Sequence, residues 1–250
     1  ESKLLSALVP RDYGGDEATL PELSRACFEL GQCCAASGMI LAMHHIQVAC
    51  LVRHGQTSSR IRALLETLVQ RQCLVASVTS EVGVGGDMRQ SQAAVRIPGD
   101  GDGDGDGQRF ELDKEATTIS YGEHADWLLV TARRSPDSPS NDQALVLLTP
   151  GDYQLERKGG WDTLGMRGTC SPGFSLRSRG DVGQILPVPF DEIASATMVP
   201  YSHVLWSSVW LGIATDAVAR AAKLVRAQGR KSPGSVPQSA MRLSDATTQL

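Results

Sequence analysis

A glycine-rich run at 79–87 contains the residues whose types and spacing most readily support ligand binding. Gly83, Gly85 and Gly86 allow a backbone to turn tightly and to bring its N–H groups close to an anionic or ring acceptor. The same glycines also occur in purely structural turns, so the run alone leaves both roles open. Arg226 offers the fork of donors that suits a pyrophosphate; the alternative is a solvated cation near a helix end.

Histidine is the second residue type here that could do chemistry. His203 precedes an apolar helical stretch, where it is either an acid or base near neutral pH or a first-turn residue without chemistry. His44 and His45 lie in apolar helical sequence and are predicted to pack, or to be partly exposed, rather than to bind a ligand. The five histidines show no H-x-x-x-H or H-E-x-x-H spacing, so we predict no metal site among them.

The stretch 100–107 alternates Asp and Gly, and with Glu111 it has the spacing of a calcium-binding loop. Such a loop needs a helix on each side, whereas 95–97 and 110–112 are β-prone. We therefore predict a solvated hairpin tip, with calcium binding as the alternative.

The elements that must position these residues occur in the order helices, strands, helices. Thr19, Pro21 and Glu22 form a capping-box signature, and residues 1–72 are predicted to be helical. Short β-prone runs separated by Gly, Asp, Ser and Pro follow at 74–78, 93–97, 109–112, 127–132, 144–148 and 173–176. Helical periodicity returns at 205–224 and again after a turn at 232–237.

This segregated order predicts an α+β fold with a middle antiparallel β domain, a sandwich or barrel, rather than alternating βαβ units. The predicted domains are an N-terminal helical domain at 1–73, a β domain at 74–195 and the start of a C-terminal helical bundle at 196–250. The sequence contains neither G-x-G-x-x-G after a strand nor a P-loop motif.

The composition is that of an ordinary soluble globular protein, with 41% hydrophobic residues, 21% charged residues and a net charge of -4. It gives no reason to expect a nucleic-acid partner. We find neither an uninterrupted apolar run of about 18 residues nor a signal-peptide pattern, so we expect no membrane span and a cytoplasmic protein. The cysteines lack CxxC spacing and are predicted to be mainly buried thiols: Cys27, Cys33, Cys34, Cys50, Cys73 and Cys170.

Five segments, spread over almost the whole chain, resemble motifs of the acyl-CoA dehydrogenase superfamily. They are V-P-R-D-Y-G-G at 9–15, T-S-E-V-G-V-G-G-D at 79–87, T-I-S-Y-G at 118–122 followed by A-D at 125–126, W-D-T-L-G-M-R-G-T at 161–169 and R-A-Q-G at 226–229. The tryptophan segment is the strongest match. The sequence departs from the family pattern at Val82 in place of Pro, Gly86 in place of Ser and Thr118 in place of Trp, and the Phe before Gly229 is missing.

The resemblance implies FAD as the cofactor. Ser80 and Ser120 match hydroxyl residues at the flavin ring, Thr118 stands where the family has a flanking Trp, and Gly85 and Gly86 belong to the flavin loop. Arg226 and Gln228 match residues that reach the FAD of a neighbouring subunit.

The resemblance also implies α,β-desaturation of an acyl thioester in fatty acid metabolism, with coenzyme A or a carrier protein as the acyl carrier. It further implies an electron-acceptor flavoprotein as partner and a homo-oligomer, a dimer or more usually a homotetramer. The family's catalytic carboxylate lies at one of two places. The commoner place is in the C-terminal domain, which we expect to be incomplete in this sequence, and the other corresponds to Ser202 or His203, where no acid stands.

Two alternatives therefore stay open. A flavin-dependent monooxygenase on the same fold could use His203. The catalytic residue is otherwise unknown, and His203 is a weak candidate. A non-catalytic relative would explain the departures at Gly86, Thr118 and Gly229.

Overall fold

The computed structural model of the chain describes residues 3–98, 108–231, 236 and 238–249. The helices are α1 (Leu20–Cys33), α2 (Ala35–His54), α3 (Ser59–Arg71), α4 (Phe190–Ile193), α5 (Val199–Lys231) and α6 (Gln238–Gln249). The strands are β1 (Val75–Val78), β2 (Arg109–Ala116), β3 (Trp127–Arg133), β4 (Gln143–Leu148), β5 (Tyr153–Lys158) and β6 (Gly173–Asp181). The stretch 100–107, with its calcium alternative, lies outside the described residues.

The first long helix begins where the capping signature predicts. Glu22 Oε2 accepts hydrogen bonds from the Thr19 amide at 2.7 Å and from the Thr19 hydroxyl at 2.8 Å. Helix α1 then packs against α2 and α5 through a shared apolar core. Helix α3 begins at an N-cap hydroxyl of Ser58, which accepts from the Ile61 amide at 3.2 Å.

Helix α2 occupies the centre of the helical layer. By length and mean hydropathy, 1.5, it could cross a membrane, but 61% of its apolar stretch is buried within the fold, as in a core helix of a globular domain. No membrane span is predicted here from the sequence, because His44, His45 and Gln47 interrupt the apolar run. All three polar side chains are buried.

The strands form two three-stranded sheets, with the orders β1-β3-β4 and β2-β6-β5. The predicted antiparallel pairing is found between β3 and β4, β2 and β6, and β5 and β6. Strands β1 and β3 are parallel instead. The intervening β2 belongs to the other sheet, so the chain crosses over and returns in its original direction.

The β1-β3-β4 sheet is the middle layer, because its two faces enter different cores. Along β3, Trp127 and Leu129 join the core shared with the helices, whereas Leu128 and Val130 join the core between the two sheets. Strand β2 contributes to the inter-sheet core only, and its inward and outward residues alternate. The structure is thus helices on a sheet on a second sheet, within the predicted α+β class.

Two strand predictions require correction. Segment 93–97 is not a continuous strand, because Ala94 bridges Arg133 in one sheet while Arg96 bridges Glu111 in the other. Strand β5 was not predicted, since it is an exposed, charged strand at the edge of its sheet.

The prediction of buried thiols is confirmed for Cys27, Cys50 and Cys73 and wrong for Cys33 and Cys34. Burial raises the pKa of Cys27 and of Cys50 to about 12 each. Cys33 and Cys34 are exposed because they stand at the break between α1 and α2, where the Cys34 backbone is extended. All six cysteines are free.

Candidate functional site

Ser80 and Thr118 meet just beyond the ends of β1 and β2. The Ser80 hydroxyl donates to the Thr118 carbonyl oxygen at 2.6 Å and accepts from the Thr118 amide at 3.0 Å. Thr118 is exposed and Ser80 is half-buried. The structure therefore joins two of the predicted cofactor residues that are 38 positions apart in sequence.

Ser120 begins a chain of hydroxyl groups that leads into the turn before β6. The Ser171 hydroxyl donates to Ser120 Oγ at 2.9 Å and lies 2.9 Å from Thr169 Oγ1, which in turn donates to the Met166 carbonyl oxygen at 2.8 Å. Thr169 and Ser171 are buried, whereas Ser120 is half-buried at the end of the chain. This network connects the 118–122 segment directly to the 161–169 segment.

Tyr121 fixes the same junction through its backbone and its side chain. Its amide donates to the Thr169 carbonyl oxygen at 2.7 Å, and its hydroxyl donates to the Val75 carbonyl oxygen at 3.1 Å. Burial raises the pKa of the Tyr121 phenol, which keeps it a neutral donor. Its φ of 45° is in the left-handed region, which non-glycine residues seldom adopt and which is frequent at functional sites.

Gly85 and Gly86 lie in the loop that follows Ser80. Their φ angles are 61° and 83°, and a Cβ placed on either residue would meet nothing within 4 Å. Their amides donate to no carbonyl oxygen in the part of the chain that the structure describes. The loop thus presents an open stretch of backbone beside the Ser80 and Thr118 hydroxyls, as a ring or anion cradle requires. These residues fit a flavin.

The 161–169 segment folds back on itself. The Trp161 indole N–H donates to the Met166 carbonyl oxygen at 3.3 Å, and the Arg167 guanidinium donates to the Thr163 carbonyl oxygen at 2.8 Å. Leu164 at the tip is fully exposed.

The remaining predicted site residues lie on α5, away from the hydroxyl groups in sequence. Arg226 and Gln228 are exposed, and Gln228 Oε1 accepts from the Ser239 hydroxyl of α6 at 2.9 Å. His203 is exposed near the start of α5, whereas Ser202 is buried and donates to the Val199 carbonyl oxygen at 2.8 Å. Among the described residues, no hydrogen bond joins these four to Ser80, Thr118 or Ser120.

A buried ion pair that the sequence motifs do not predict lies between Glu81 and Lys114. Lys114 Nζ lies 3.5 Å from Glu81 Oε2, and the two side chains are 0% and 5% exposed. The available signal was the alternation of β2, in which Phe110, Leu112 and Ala116 point inward and Lys114 shares their face. A lysine at an inward position needs a buried partner.

No family model matches the chain. A curated relative, cyclohex-1-ene-1-carbonyl-CoA dehydrogenase of Geobacter metallireducens, is 23% identical over 202 residues, which are 81% of this chain and 49% of that protein. The chain thus spans about half the length of the curated relative.

Two solved structures are similar in fold. Butyryl-CoA dehydrogenase from Megasphaera elsdenii matches with a TM-score of 0.81 at 20% identity, over 99% of this chain and 64% of that one. FMN-bound TdsC from Paenibacillus sp. A11-2, a dibenzothiophene monooxygenase, matches with a TM-score of 0.75 at 21% identity, over 90% of this chain and 56% of that one.

The layered order of helices, two sheets and a long helix is therefore that of the acyl-CoA dehydrogenase fold. The predicted resemblance to the acyl-CoA dehydrogenase superfamily is confirmed, at a low sequence identity.

The contact between Ser80 and Thr118 leads to a direct prediction. Ser80→Ala removes both hydrogen bonds, so we expect it to lower the free energy of unfolding by about 1 kcal/mol. Ser80→Thr retains the hydroxyl and should lose much less. Urea unfolding followed by circular dichroism measures both, with Thr117→Ala as the neighbouring exposed control. A Ser80→Ala protein as stable as the control would show that the contact contributes nothing.

Proposed function

We propose that the chain forms the flavin-binding part of a FAD-dependent oxidoreductase that desaturates the Cα–Cβ bond of an acyl thioester. The observation that carries the proposal is the convergence of three motif segments, 79–87, 118–122 and 161–169, through the Ser80–Thr118 contact and the Ser120–Ser171–Thr169 hydroxyl chain. Their order and their similarity to acyl-CoA dehydrogenases support it.

Each predicted site residue has a defined part in this proposal. The Ser80, Thr118 and Ser120 hydroxyls orient the flavin ring, and the free amides at Gly85 and Gly86 approach its polar edge. A bound flavin supplies the hydride acceptor for the reaction. Arg226 and Gln228, exposed on α5, reach the cofactor of a neighbouring subunit.

The substrate of this reaction is an acyl thioester. Relatives are named for cyclohex-1-ene-1-carbonyl-CoA and butyryl-CoA, and one structural neighbour is a prolyl acyl carrier protein oxidase, so both kinds of acyl carrier belong to the proposal. We further propose a cytoplasmic enzyme of fatty acid metabolism with an electron-acceptor flavoprotein as partner.

Assembly into a homotetramer is part of the same proposal. Helix α5 carries exposed apolar side chains, Trp210, Leu211 and Leu224, as a helix that packs against another subunit would. Light scattering after gel filtration tests the assembly, and a monomer would contradict it.

A flavin-dependent monooxygenase is the second candidate. It is favoured by the exposed His203 near the start of α5, at the less common of the family's two carboxylate positions, and by the likeness of the fold to TdsC. The third, a non-catalytic relative, is favoured by the substitutions at Gly86, Thr118 and Gly229.

The experiment begins with the absorbance of the purified protein between about 350 and 500 nm, followed by anaerobic addition of acyl-CoAs. The panel includes butyryl-CoA, longer straight chains and cyclic carboxyl-CoAs. We expect flavin bands that bleach with one class of thioester, which would identify the enzyme as a dehydrogenase and name its substrate class.

The other outcomes separate the candidates. Bound flavin that no thioester bleaches, together with oxygen-dependent turnover that His203→Ala abolishes, would replace the dehydrogenase by the monooxygenase. A protein that cannot be reconstituted with FAD or FMN would overturn both and leave the non-catalytic relative.

A further inference from the structure

The Lys114–Glu81 ion pair lies beneath the candidate site and has no part in the function proposed above. Fully buried charges are rare, because removing them from water costs several kcal/mol per ion. An apolar pair of similar volume would fill the same space without that cost. The presence of two buried charges is therefore explained best by the neighbouring groups that they bind and position.

Glu81 closes the base of the glycine loop. Its Oε1 accepts from the Gln92 amide at 3.1 Å and from the Ala93 amide at 2.7 Å, and its Oε2 accepts from the Ser91 hydroxyl at 2.7 Å. One side chain thus fixes the far end of a loop that begins directly after it. The loop contains Gly85 and Gly86.

Lys114 holds the strands behind that loop. Its ammonium group donates to the Thr131 carbonyl oxygen at 2.7 Å and to the Thr131 hydroxyl at 3.0 Å, so it connects β2 to β3 across the inter-sheet core. Burial lowers the pKa of Lys114 to about 8, and the Glu81 carboxylate opposes that decrease. The backbone carbonyl oxygen of the next residue in β2, Glu115, accepts a hydrogen bond from the Val82 amide at 2.9 Å.

The pair therefore connects the two segments that supply the predicted cofactor contacts. Ser80 immediately precedes Glu81, and Thr118 and Ser120 follow Lys114 by four and six residues. Directional contacts fix the relative position of two segments more narrowly than apolar packing does, because hydrogen bonds and ion pairs depend on geometry.

We propose that Lys114 and Glu81 are positioning residues, which set the spacing between Ser80 and Thr118 and preform the glycine loop for the flavin. The role in flavin binding rests on the proposed function. The ordering of the glycine loop by the ion pair does not depend on that function.

The test compares the double variant Glu81→Met/Lys114→Met with the single variant Glu81→Gln. The double variant removes both charges but also the acceptor of the Gln92 and Ala93 amides and of the Ser91 hydroxyl, so we expect a moderate loss of thermal stability. Its loop amides at 82–93 should exchange hydrogen at least about tenfold faster in the cofactor-free protein. Its dissociation constant for FAD, measured by fluorescence quenching, should rise at least about tenfold.

Asp113→Asn is the matched control. It breaks the exposed Arg96–Asp113 pair one residue from Lys114, at 2.8 Å, and should change neither loop exchange nor FAD affinity. Glu81→Gln retains an acceptor for the Gln92 and Ala93 amides, so it should keep most of the loop protection while weakening the contact with Lys114. If the double variant does not fold, Glu81→Gln decides the question: a smaller but measurable increase in loop exchange and in the dissociation constant for FAD is expected, and wild-type values of both would overturn the positioning role.

The outcomes distinguish the inference from the function on which it rests. A folded double variant with wild-type loop exchange would overturn the positioning role, whatever its affinity for FAD. A wild-type protein that binds no flavin would overturn the proposed function, while the exchange measurement would still decide whether the pair orders the loop.

Discussion

Gly212→Ala is expected to destabilise the protein by at least about 3 kcal/mol, in the range of severe overpacking. Gly212 lies where α5 crosses α1, and a Cβ added there would stand 2.2 Å from the Phe28 carbonyl oxygen. The crossing is close from both sides, since a Cβ on Gly31 of α1 would stand 2.5 Å from the Val209 carbonyl oxygen. Both obstacles are backbone atoms, which no change of rotamer can move.

The size of the effect follows from the position of the crossing. The same two helices bury four apolar side chains in the helical core, those of Leu23, Cys27, Leu205 and Val209. Separating the two helices to admit a methyl group would open that core to voids or water. Alanine is otherwise favoured over glycine in a helix by about 1 kcal/mol. A loss of stability in Gly212→Ala must therefore come from the steric contact between the two helices.

Thermal and urea unfolding measure the change. Gly160→Ala is the control, because a Cβ at Gly160 would meet nothing within 4 Å, and it should stay within about 0.5 kcal/mol of the wild type. Gly31→Ala, at the same crossing, should be destabilised like Gly212→Ala. If both helix variants unfold like the Gly160→Ala protein, the helices do not approach as closely as described.

Burial on both faces explains which strands the sequence could predict. Strands β3 and β4 face a core on each side, so they are continuous apolar runs, and the sequence places them within one residue of their observed ends. Strand β5 has only Tyr153 and Leu155 packed against a core and is otherwise charged. An edge strand of this kind is held mainly by backbone hydrogen bonds to β6. Backbone pairing places few requirements on residue type, so the sequence of β5 does not indicate a strand.

The pairing of strands could not be predicted for a related reason. The parallel contact between β1 and β3 depends on β2 entering the other sheet, and local alternation does not specify which sheet a strand joins. Segment 93–97 shows the same limit, because successive residues pair with different sheets. The order of helical and β segments sufficed for the class of fold.

The sequence predicted the separate motifs of the candidate site but not the contacts between them. The motifs named Ser80, Thr118 and Ser120, but the contact between Ser80 and Thr118 and the link from Ser120 to Thr169 arise only on folding. The polar groups that connect the motifs, Ser171 and Lys114, belong to no motif. Their roles depend on burial, and for Lys114 the alternation of β2 does indicate burial.

The protein should lose about 4 kcal/mol of stability between pH 7 and pH 5 through His44 and His45 alone. His44 Nδ1 accepts the Val75 amide at 3.0 Å, so its Nε2 carries the proton and donates to the Leu5 carbonyl oxygen at 2.7 Å. A second proton on Nδ1 would face an N–H donor. Burial lowers the pKa of His44 to about 4, against about 6.5 in an unfolded chain.

His45 is held in the same way by the neighbouring carbonyl group. Its Nε2 lies 3.0 Å from the Leu4 carbonyl oxygen, and its buried Nδ1 has no partner among the described residues. Burial, with a smaller contribution from His44, lowers the pKa of His45 to about 3. A proton there would place a charge in the helical core.

The sign of the effect follows from these depressed pKa values. Well above pH 6.5 both histidines are neutral in the folded and in the unfolded chain, and their contribution to stability is complete. As the pH falls towards 4, the unfolded chain binds two protons that the folded chain excludes, so stability decreases by up to about 2.7 kcal/mol per pH unit. A second proton on His44 would break the hydrogen bond from the Val75 amide to Nδ1, whereas the Nε2–H groups of both histidines would still bind the segment Leu4–Ser6 to α2.

His45→Met separates this contribution from that of the carboxylates, which titrate in both proteins. The variant should lose about 1 kcal/mol at pH 7 through the missing hydrogen bond to Leu4. Because one proton-linked site is gone, its further decrease between pH 7 and pH 5 should be about 2 kcal/mol smaller than that of the wild type. Urea unfolding at each pH gives the free energy of unfolding. The variant His124→Gln, at an exposed histidine, is the control for the dependence of that free energy on pH. Equal slopes for all three proteins would mean that His45 accepts a proton in the folded state, and the helical core would then have to admit water at its centre.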